Sequence, residues 1–466
     1  MQKLYNILVS LDIYALNRLR KWLCSPIHNE QEALIALFDA CRAVLKKDKK
    51  GSIIDWQTAK MVFPKQDANK YSDLIKRVEA WFAYEWQCRN EVQLILGTAA
   101  FYNEKGFEQY ANEELVFGQT LHNNATQRNA AWHYTEYCLA EARENKNVKN
   151  VRQTGKTELQ YICNQLDTFF IAKRLAHYID ALTYKNVLKL DIDTAGLPEL
   201  IAFIEVLNLQ NTPLISIYYH SIMTLYNDNN NDNDNTEHFA QLVASLNTHH
   251  QLLAPFEARE YYTVALNYCV RRINMGETAY FIKLFNLYKL LLQNEIIFDN
   301  GILPEWDYKN VITIGLRLGE FDWVERFLQE YSQKLPHHLR ENALTYNLAK
   351  LYFAQADYQK VIEQLRDVQY IDVVYSLDSR ATLLKTYYEL RAYEALESNL
   401  ESFRIYLLRN KTIATNVKKQ YENLIRFTKK IMLLSKNDQK AKQQLIAKIE
   451  ATEQIGDKKW LLEKLR

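Results

Sequence analysis

Gly155-Lys156-Thr157 has the ending of a phosphate-binding loop, where a lysine reaches phosphate oxygens and a hydroxyl holds a metal ion. Such a loop also needs a glycine five residues before Gly155, so that backbone amides can wrap the phosphate. Asn150 stands there, and no strand-like run precedes it, so the reading is a polar helix start. The histidine pairs His249-His250 and His337-His338 offer imidazoles for a metal. Adjacent helical side chains diverge by about 100 degrees, so neither pair makes the same-face clamp that a residue and its fourth neighbour make. His133 and Cys138 are no better spaced. Cys24, Cys41, Cys88, Cys138, Cys163 and Cys269 contain no Cys-x-x-Cys pair, and read as small buried hydrophobes. Gly-x-Ser-x-Gly, His-Glu-x-x-His and a glycine-rich dinucleotide turn are all missing. The expectation is no cofactor, no metal and no catalysis, a dispersed active site being the exception that one sequence does not display.

Charge marks one region. The net charge is only +2, yet from Leu400 to Arg466 sixteen Lys and Arg stand against seven Asp and Glu. Within it the spacing predicts a helix from about Ile413 to Leu434, with Ile413, Val417, Tyr421, Leu424, Thr428 and Ile431 on one arc. Lys418, Lys419, Arg426, Lys429 and Lys430 cluster on the opposite arc. This face serves either as the polar outside of a capping helix or as a docking face for a polyanion or an acidic partner. Asn227 to Asn235 is an unbroken Asn/Asp run, expected as a disordered loop inserted between helices. A calcium loop there would need a glycine at its turn and a closing glutamate, and has neither.

The elements that must carry these residues are helical. Eleven glycines and seven prolines are few for 466 residues, where average usage gives roughly 30 and 20. Leu11, Leu16, Leu19 and Leu23 predict a helix over 11 to 23 with Ser10 as its cap, and further helices follow over 29 to 47, 56 to 63 and 68 to 88. The Lys46 to Gly51 run and the polar stretch Lys146 to Gly155 read as breaks. Pro213, Pro255, Pro304 and Pro336 each precede a periodic apolar stretch, as proline does at a helix entry. No stretch approaches eighteen apolar residues and no leader is written at the N-terminus, so a cytoplasmic location without a transmembrane segment is expected.

One phrase recurs: Gly319-Glu320-Phe321 with Val324 and Leu328, Ala356-Asp357-Tyr358 with Val361 and Leu365, and Ala392-Tyr393 with Leu396 and Leu400. A helical stripe restarted about every 36 residues is the signature of stacked helical hairpins. The aromatic load of 31 Tyr, 19 Phe and 8 Trp is expected mostly on this stripe, between helices.

Leu348-Ala349-Lys350-Leu351-Tyr352 followed by Ala356-Asp357-Tyr358 and Val361 resembles a tetratricopeptide repeat, and Leu384 and Tyr387 with Tyr393 and Leu396 match the same frame. Phe321-Asp322-Trp323-Val324 and Trp22-Leu23-Cys24-Ser25-Pro26 also resemble a group of uncharacterised bacterial helical-repeat proteins. The resemblance implies an all-α, right-handed superhelix of stacked antiparallel hairpins with a habit of binding proteins or peptides; it transfers no site residue. The expected layout is a helical cap over 1 to 89, irregular repeats over 90 to 410 and basic capping helices over 411 to 466. The expected role is a protein-interaction scaffold with a protein or peptide partner. The alternative is a helical repeat that binds RNA or another polyanion through Lys418, Lys419, Arg426, Lys429 and Lys430.

Overall fold

Helix ends set the architecture. The computed structural model describes residues 1–45, 56–144, 157–188, 190–226, 232–365, 373–435 and 438–465. The expected breaks at 46–51 and 146–155 lie outside these, as do Gly155, Lys156 and residues 227–231 of the Asn/Asp run. Among the described residues the chain is all-α, with 23 α-helices and no strand. The remainder of the Asn/Asp run differs from the expected loop, because the helix Asp232–His249 already begins there. Asn and Asp favour helix starts, where their short side chains compete for backbone amides, so a polar run is no barrier to a first turn.

The recurring phrase is a turn before it is a stripe. Gly319, Ala356 and Arg391 all adopt left-handed backbone, at φ 78°, 60° and 56°. At each, the next residue's amide reaches back five positions: Glu320 to Gly315 O (3.0 Å), Asp357 to Tyr352 O (2.9 Å) and Ala392 to Tyr387 O (3.0 Å). The left-handed residue's own amide bonds three positions back, to Leu316, Phe353 and Tyr388. This paired closure satisfies carbonyls that a helix end leaves orphaned and turns the chain sharply into the next helix. Gly106, Gly276 and Glu295 repeat it upstream.

The aliphatic members of the stripe enter the core as expected, and its aromatic members do so only in part. Val324, Leu328, Val361, Leu365, Leu396 and Leu400 are buried, each contributing roughly 1.5–3 kcal/mol by leaving water. Phe321 and Tyr358 are only half-buried, and Tyr393 is exposed. The first helical position after a tight turn lies at the hairpin's end, where one side of the ring faces solvent.

Packing divides the chain into two compact units, Met1–Arg174 and Leu175–Arg466. In the first, the helices Gln2–Ser10, Ile13–Leu23, Glu32–Val44, Trp56–Val62 and Ala68–Cys88 share one core around Leu4, Leu8, Leu19, Leu23, Phe38 and Leu74. Asp12, not Ser10, caps the second of these: its Oδ1 accepts the Ala15 amide at 2.7 Å, and Ser10 ends the preceding helix. The helices Glu91–Glu104, Glu108–Asn123 and Ala130–Glu144 enclose a smaller core of Ala99, Ala111, Leu115 and Leu139. A Cβ on Gly118 would stand 2.9 Å from Ile95 Cγ2, so glycine lets two of these helices approach.

In the second unit, helices pair in sequence order: Pro213–Tyr226 with Asp232–His249, Pro255–Asn274 with Tyr280–Gln293, Glu305–Leu318 with Phe321–Tyr331, Arg340–Ala354 with Tyr358–Leu365, and Val373–Glu389 with Tyr393–Arg409. First helices of successive pairs also pack, except that Pro255–Asn274 and Glu305–Leu318 are joined by the Arg259–Asp307 ion pair at 2.6 Å, so neighbouring hairpins cover one another locally. Pro213 and Pro255 open their helices and Pro304 caps the next, where a missing amide proton costs nothing. Thr415–Met432, Gln439–Glu450 and Lys458–Glu463 complete the unit over Leu424, Phe427, Ile431, Leu445 and Trp460. Among the described residues no helix is long and apolar enough to cross a membrane.

Candidate functional site

Three surfaces and one buried network gather the charged, polar and exposed apolar candidate side chains. The first is the basic face predicted from sequence, on the helix Thr415–Met432. Leu424, Thr428 and Ile431 are buried on its inner side as the spacing expects, with Val417 and Tyr421 half-buried, and Asn423, Ile425 and Phe427 join them. Lys419, Arg426, Lys429 and Lys430 are exposed and Lys418 is half-buried. Among the described residues none of the five has a carboxylate at ion-pair distance. Arg426 lies 4.6 Å and Lys430 5.9 Å from the Phe427 ring, so their stems cover apolar surface while the charges stay in water.

The second surface is apolar and belongs to the Met1–Arg174 unit. Trp86 is 72% exposed, Phe101 57% and Val116 66%, and Leu94, Phe107, Tyr110 and Phe117 are exposed beside them in sequence order. Their helices, Ala68–Cys88, Glu91–Glu104 and Glu108–Asn123, pack in succession. Phe107, Tyr110 and Phe117 share one helical face by spacing, and Tyr102 joins the two later helices with ring centroids 6.5 Å from Phe107 and 5.8 Å from Tyr110. Between Trp86 and Phe101 lies an open cavity of about 820 Å³ with Asn90, Leu94, Gly97 and Tyr102 on its walls. Gly97 has open space where a Cβ would project, which keeps the floor low. Its lining carries no charged side chain; Arg89 and Lys105 reach the Trp86 and Phe101 rings at 5.9 and 5.4 Å.

The buried network joins three helices of the same unit. The Glu136 carboxylate, 2% exposed, accepts hydrogen bonds from Tyr161 Oη and Gln119 Nε2, both at 2.8 Å, and stands 3.4 Å from His122 Nε2. Arg143 donates to Gln119 Oε1 and also stands 4.0 Å from Glu136 Oε1. Trp132 stacks on the His122 ring at 4.5 Å, with the Arg128 guanidinium 4.2 Å over the indole. Burial pushes the His122 imidazole below its usual range against the pull of Glu136, and burial lowers His133 similarly, beside Gln165 Oε1 at 2.6 Å. A histidine facing a carboxylate is a proton-transfer pair by type. Tyr161 and Gln119 satisfy the buried Glu136 carboxylate, whereas His122, only 5% exposed, makes no hydrogen bond through Nε2.

The third surface lies in the Leu175–Arg466 unit: a polar pocket of about 430 Å³ lined by Tyr346, Lys350, Asp378, Lys385, Tyr421 and Asp457 among others. Sequence reading passed over it. Lys350 was legible only as part of a repeat, and Tyr421 only as a member of an apolar arc. The available signal was a lysine on the first helix of consecutive hairpins, Lys309, Lys350 and Lys385.

The remaining sequence candidates do not converge. Cys41 and Cys269 are buried, and burial pushes their thiols up to about 11 and about 12. Cys24, Cys88 and Cys163 are exposed, contrary to the expectation that all six are core residues. Among the described residues no group of three or more His, Cys, Asp and Glu is placed to hold a metal ion. Unforeseen was His220 meeting His238 across two helices, Nδ1 to Nδ1 3.0 Å. The fold and these surfaces define an all-α protein of locally packed helices, compatible with a helical repeat. No protein family, curated protein or solved structure matches the chain.

Proposed function

We propose that this protein is an interaction scaffold: a right-handed, tetratricopeptide-like stack of hairpins that binds a protein partner through an apolar segment. The observation that carries the reading is the exposed run of Trp86, Leu94, Phe101, Phe107 and Phe117 along three consecutive helices. Large apolar patches on a soluble chain mark binding surfaces, and aromatic side chains supply most of the energy at such interfaces. A cavity of about 820 Å³ beside Trp86, walled by Leu94, Phe101 and Tyr102 together with polar Gln87, Asn90, Gln93 and Thr98, has room for several anchoring side chains of a partner helix or peptide. Catalysis is not part of this reading. Affinity capture with the tagged full chain, followed by identification of the bound protein, tests it: Trp86→Ser with Phe101→Ser abolishes recovery of the partner without changing the unfolding midpoint. Recovery of the chain alone, or of the same partner by both forms, overturns it.

A second reading rests on the five cations Lys418, Lys419, Arg426, Lys429 and Lys430, which have no counter-charge at ion-pair distance among the described residues. An RNA or another polyanion supplies that charge. Anisotropy of labelled single-stranded RNA decides it, with affinity falling steeply between about 50 and about 200 mM salt. No binding at the lower salt removes this reading.

A further inference from the structure

The polar pocket of the Leu175–Arg466 unit contains an unresolved charge arrangement. Its walls come from Arg340–Ala354, Val373–Glu389, Thr415–Met432 and the turn at Gly456 and Asp457. That turn is held by the Gly456 amide on Gln420 O at 3.1 Å, and Asp457 takes left-handed backbone at φ 48°. Two lysines and two carboxylates line the space, so its formal charge is balanced. One pair is closed: Lys385 Nζ lies 3.0 Å from Asp457 Oδ1. The other pair is open. Lys350 Nζ donates to Thr313 Oγ1 at 3.2 Å and lies 5.7 Å from the Tyr346 ring centroid. Among the described residues no carboxylate comes within ion-pair reach of it, about 4 Å. Asp378 accepts hydrogen bonds from the Tyr421 and Tyr346 hydroxyls, and among the described residues no cation lies at ion-pair distance from it.

Neutral hydroxyls hold both Lys350 and Asp378, so each keeps its formal charge without a counter-charge and can still gain from an opposite charge placed between them. A plain anion would satisfy Lys350 and leave a balanced pocket negative beside Asp378; a plain cation would do the reverse. We propose that this pocket binds a small zwitterionic ligand of the amino-acid class, its carboxylate on Lys350 Nζ and its ammonium on the Asp378 carboxylate. The volume of about 430 Å³ suits such a ligand, and Tyr346 and Tyr421 fix the carboxylate that receives the ammonium. The site is independent of the apolar surface around Trp86.

A proton-linked signature follows. Burial, with Lys385 and Lys309 nearby, holds the Lys350 ammonium below the usual lysine range, Asp378 opposing the shift. A bound carboxylate favours the ammonium, so binding takes up a proton once free Lys350 begins to deprotonate, and affinity falls as pH rises through that range.

Calorimetric titration of the full chain tests the proposal with alanine, glutamate and alanyl-alanine as zwitterions, and acetate and ethylammonium as single-charge controls. The two amino acids and the dipeptide distinguish a free amino acid from a chain carrying both termini. At least one zwitterion is expected to saturate, and Lys350→Met and Asp378→Asn each to weaken it about tenfold or more. Acetate or ethylammonium binding as tightly, or saturation unchanged in Lys350→Met, overturns the proposal, as does the absence of saturation by every zwitterion at about 10 mM. Unmutated protein gives an independent readout should either variant unfold. Brief acetylation with acetic anhydride, read by peptide mass, is slowed at Lys350 by the bound zwitterion and unchanged at Lys419. Equal modification of Lys350 with and without the zwitterion overturns the assignment.

Discussion

Each unit buries some of its aromatic rings and exposes others. In Leu175–Arg466, Tyr262, Tyr268, Tyr308, Tyr375, Phe403 and Phe427 are among the most completely buried side chains of the molecule, yet Trp306 and Phe256 are exposed. In Met1–Arg174, Trp86, Phe101, Phe107, Tyr110 and Phe117 are exposed, while a carboxylate and an imidazole, Glu136 and His122, occupy buried positions. Aromatic content therefore reports neither packing nor binding by itself. What separates the two outcomes is whether a neighbouring helix covers the ring, and the surface left uncovered is where a partner gains most by docking.

The sharpest way to break this contrast is a matched pair of truncations. Phe403→Ala should cost about 3–5 kcal/mol in urea unfolding, because it empties a fully buried site, whereas Phe101→Ala should cost less than about 0.5 kcal/mol. Equal costs would mean the Phe101 surface is covered by the protein itself. Two glycines make the next comparison. A methyl on Gly315 would sit 2.5 Å from Val324 Cγ2, so Gly315→Ala should destabilise by about 1–3 kcal/mol. Gly97→Ala, with open space around the new methyl, should stabilise its helix by about 0.5–1 kcal/mol.

Acid should act through His220. Burial and the nearby His238 lower its pKa from 6.5 to about 4, so the folded state binds its proton more weakly than the unfolded state. That contribution to stability is complete above pH 6.5 and is lost as pH falls toward about 4. His220→Asn should flatten the slope of unfolding free energy over that window, and hydrogen exchange should localise the change to Pro213–Tyr226. The smallest effect concerns the turns: Ala356→Gly and Arg391→Gly should each raise stability by a few tenths to about 1 kcal/mol, since both residues now hold left-handed backbone. A loss in both would mean that their side-chain contacts outweigh backbone strain.

Much of the helical layout was legible. Ala68–Cys88 and Phe321–Tyr331 end where periodicity and breakers place them, and the Phe321, Tyr358 and Tyr393 phrase marks three equivalent turns, because capping and closure are decided within a few residues. The cap at Asp12 in place of Ser10 shows the limit of that rule: both residues cap well, and an unforeseen helix over Gln2–Ser10 decided between them. The basic face was legible for the same local reason, as one arc of one helix. The polar pocket was not, since Lys350, Asp378 and Tyr421 lie on three separate helices. Nor was the Glu136 network, whose partners Gln119, His122 and Tyr161 come from two other helices.

By itself, then, the sequence determined that this chain is helical, where many of its hairpins turn, and which side of the Thr415–Met432 helix faces water, all properties of spacing within one or two turns of backbone. Tertiary structure alone decided which aromatic rings are covered, that Tyr393 stays outside the core, and that Lys350 meets neither Asp378 nor Asp457. Burial and charge pairing depend on which helix arrives from a distant part of the chain, and no local period encodes that arrival.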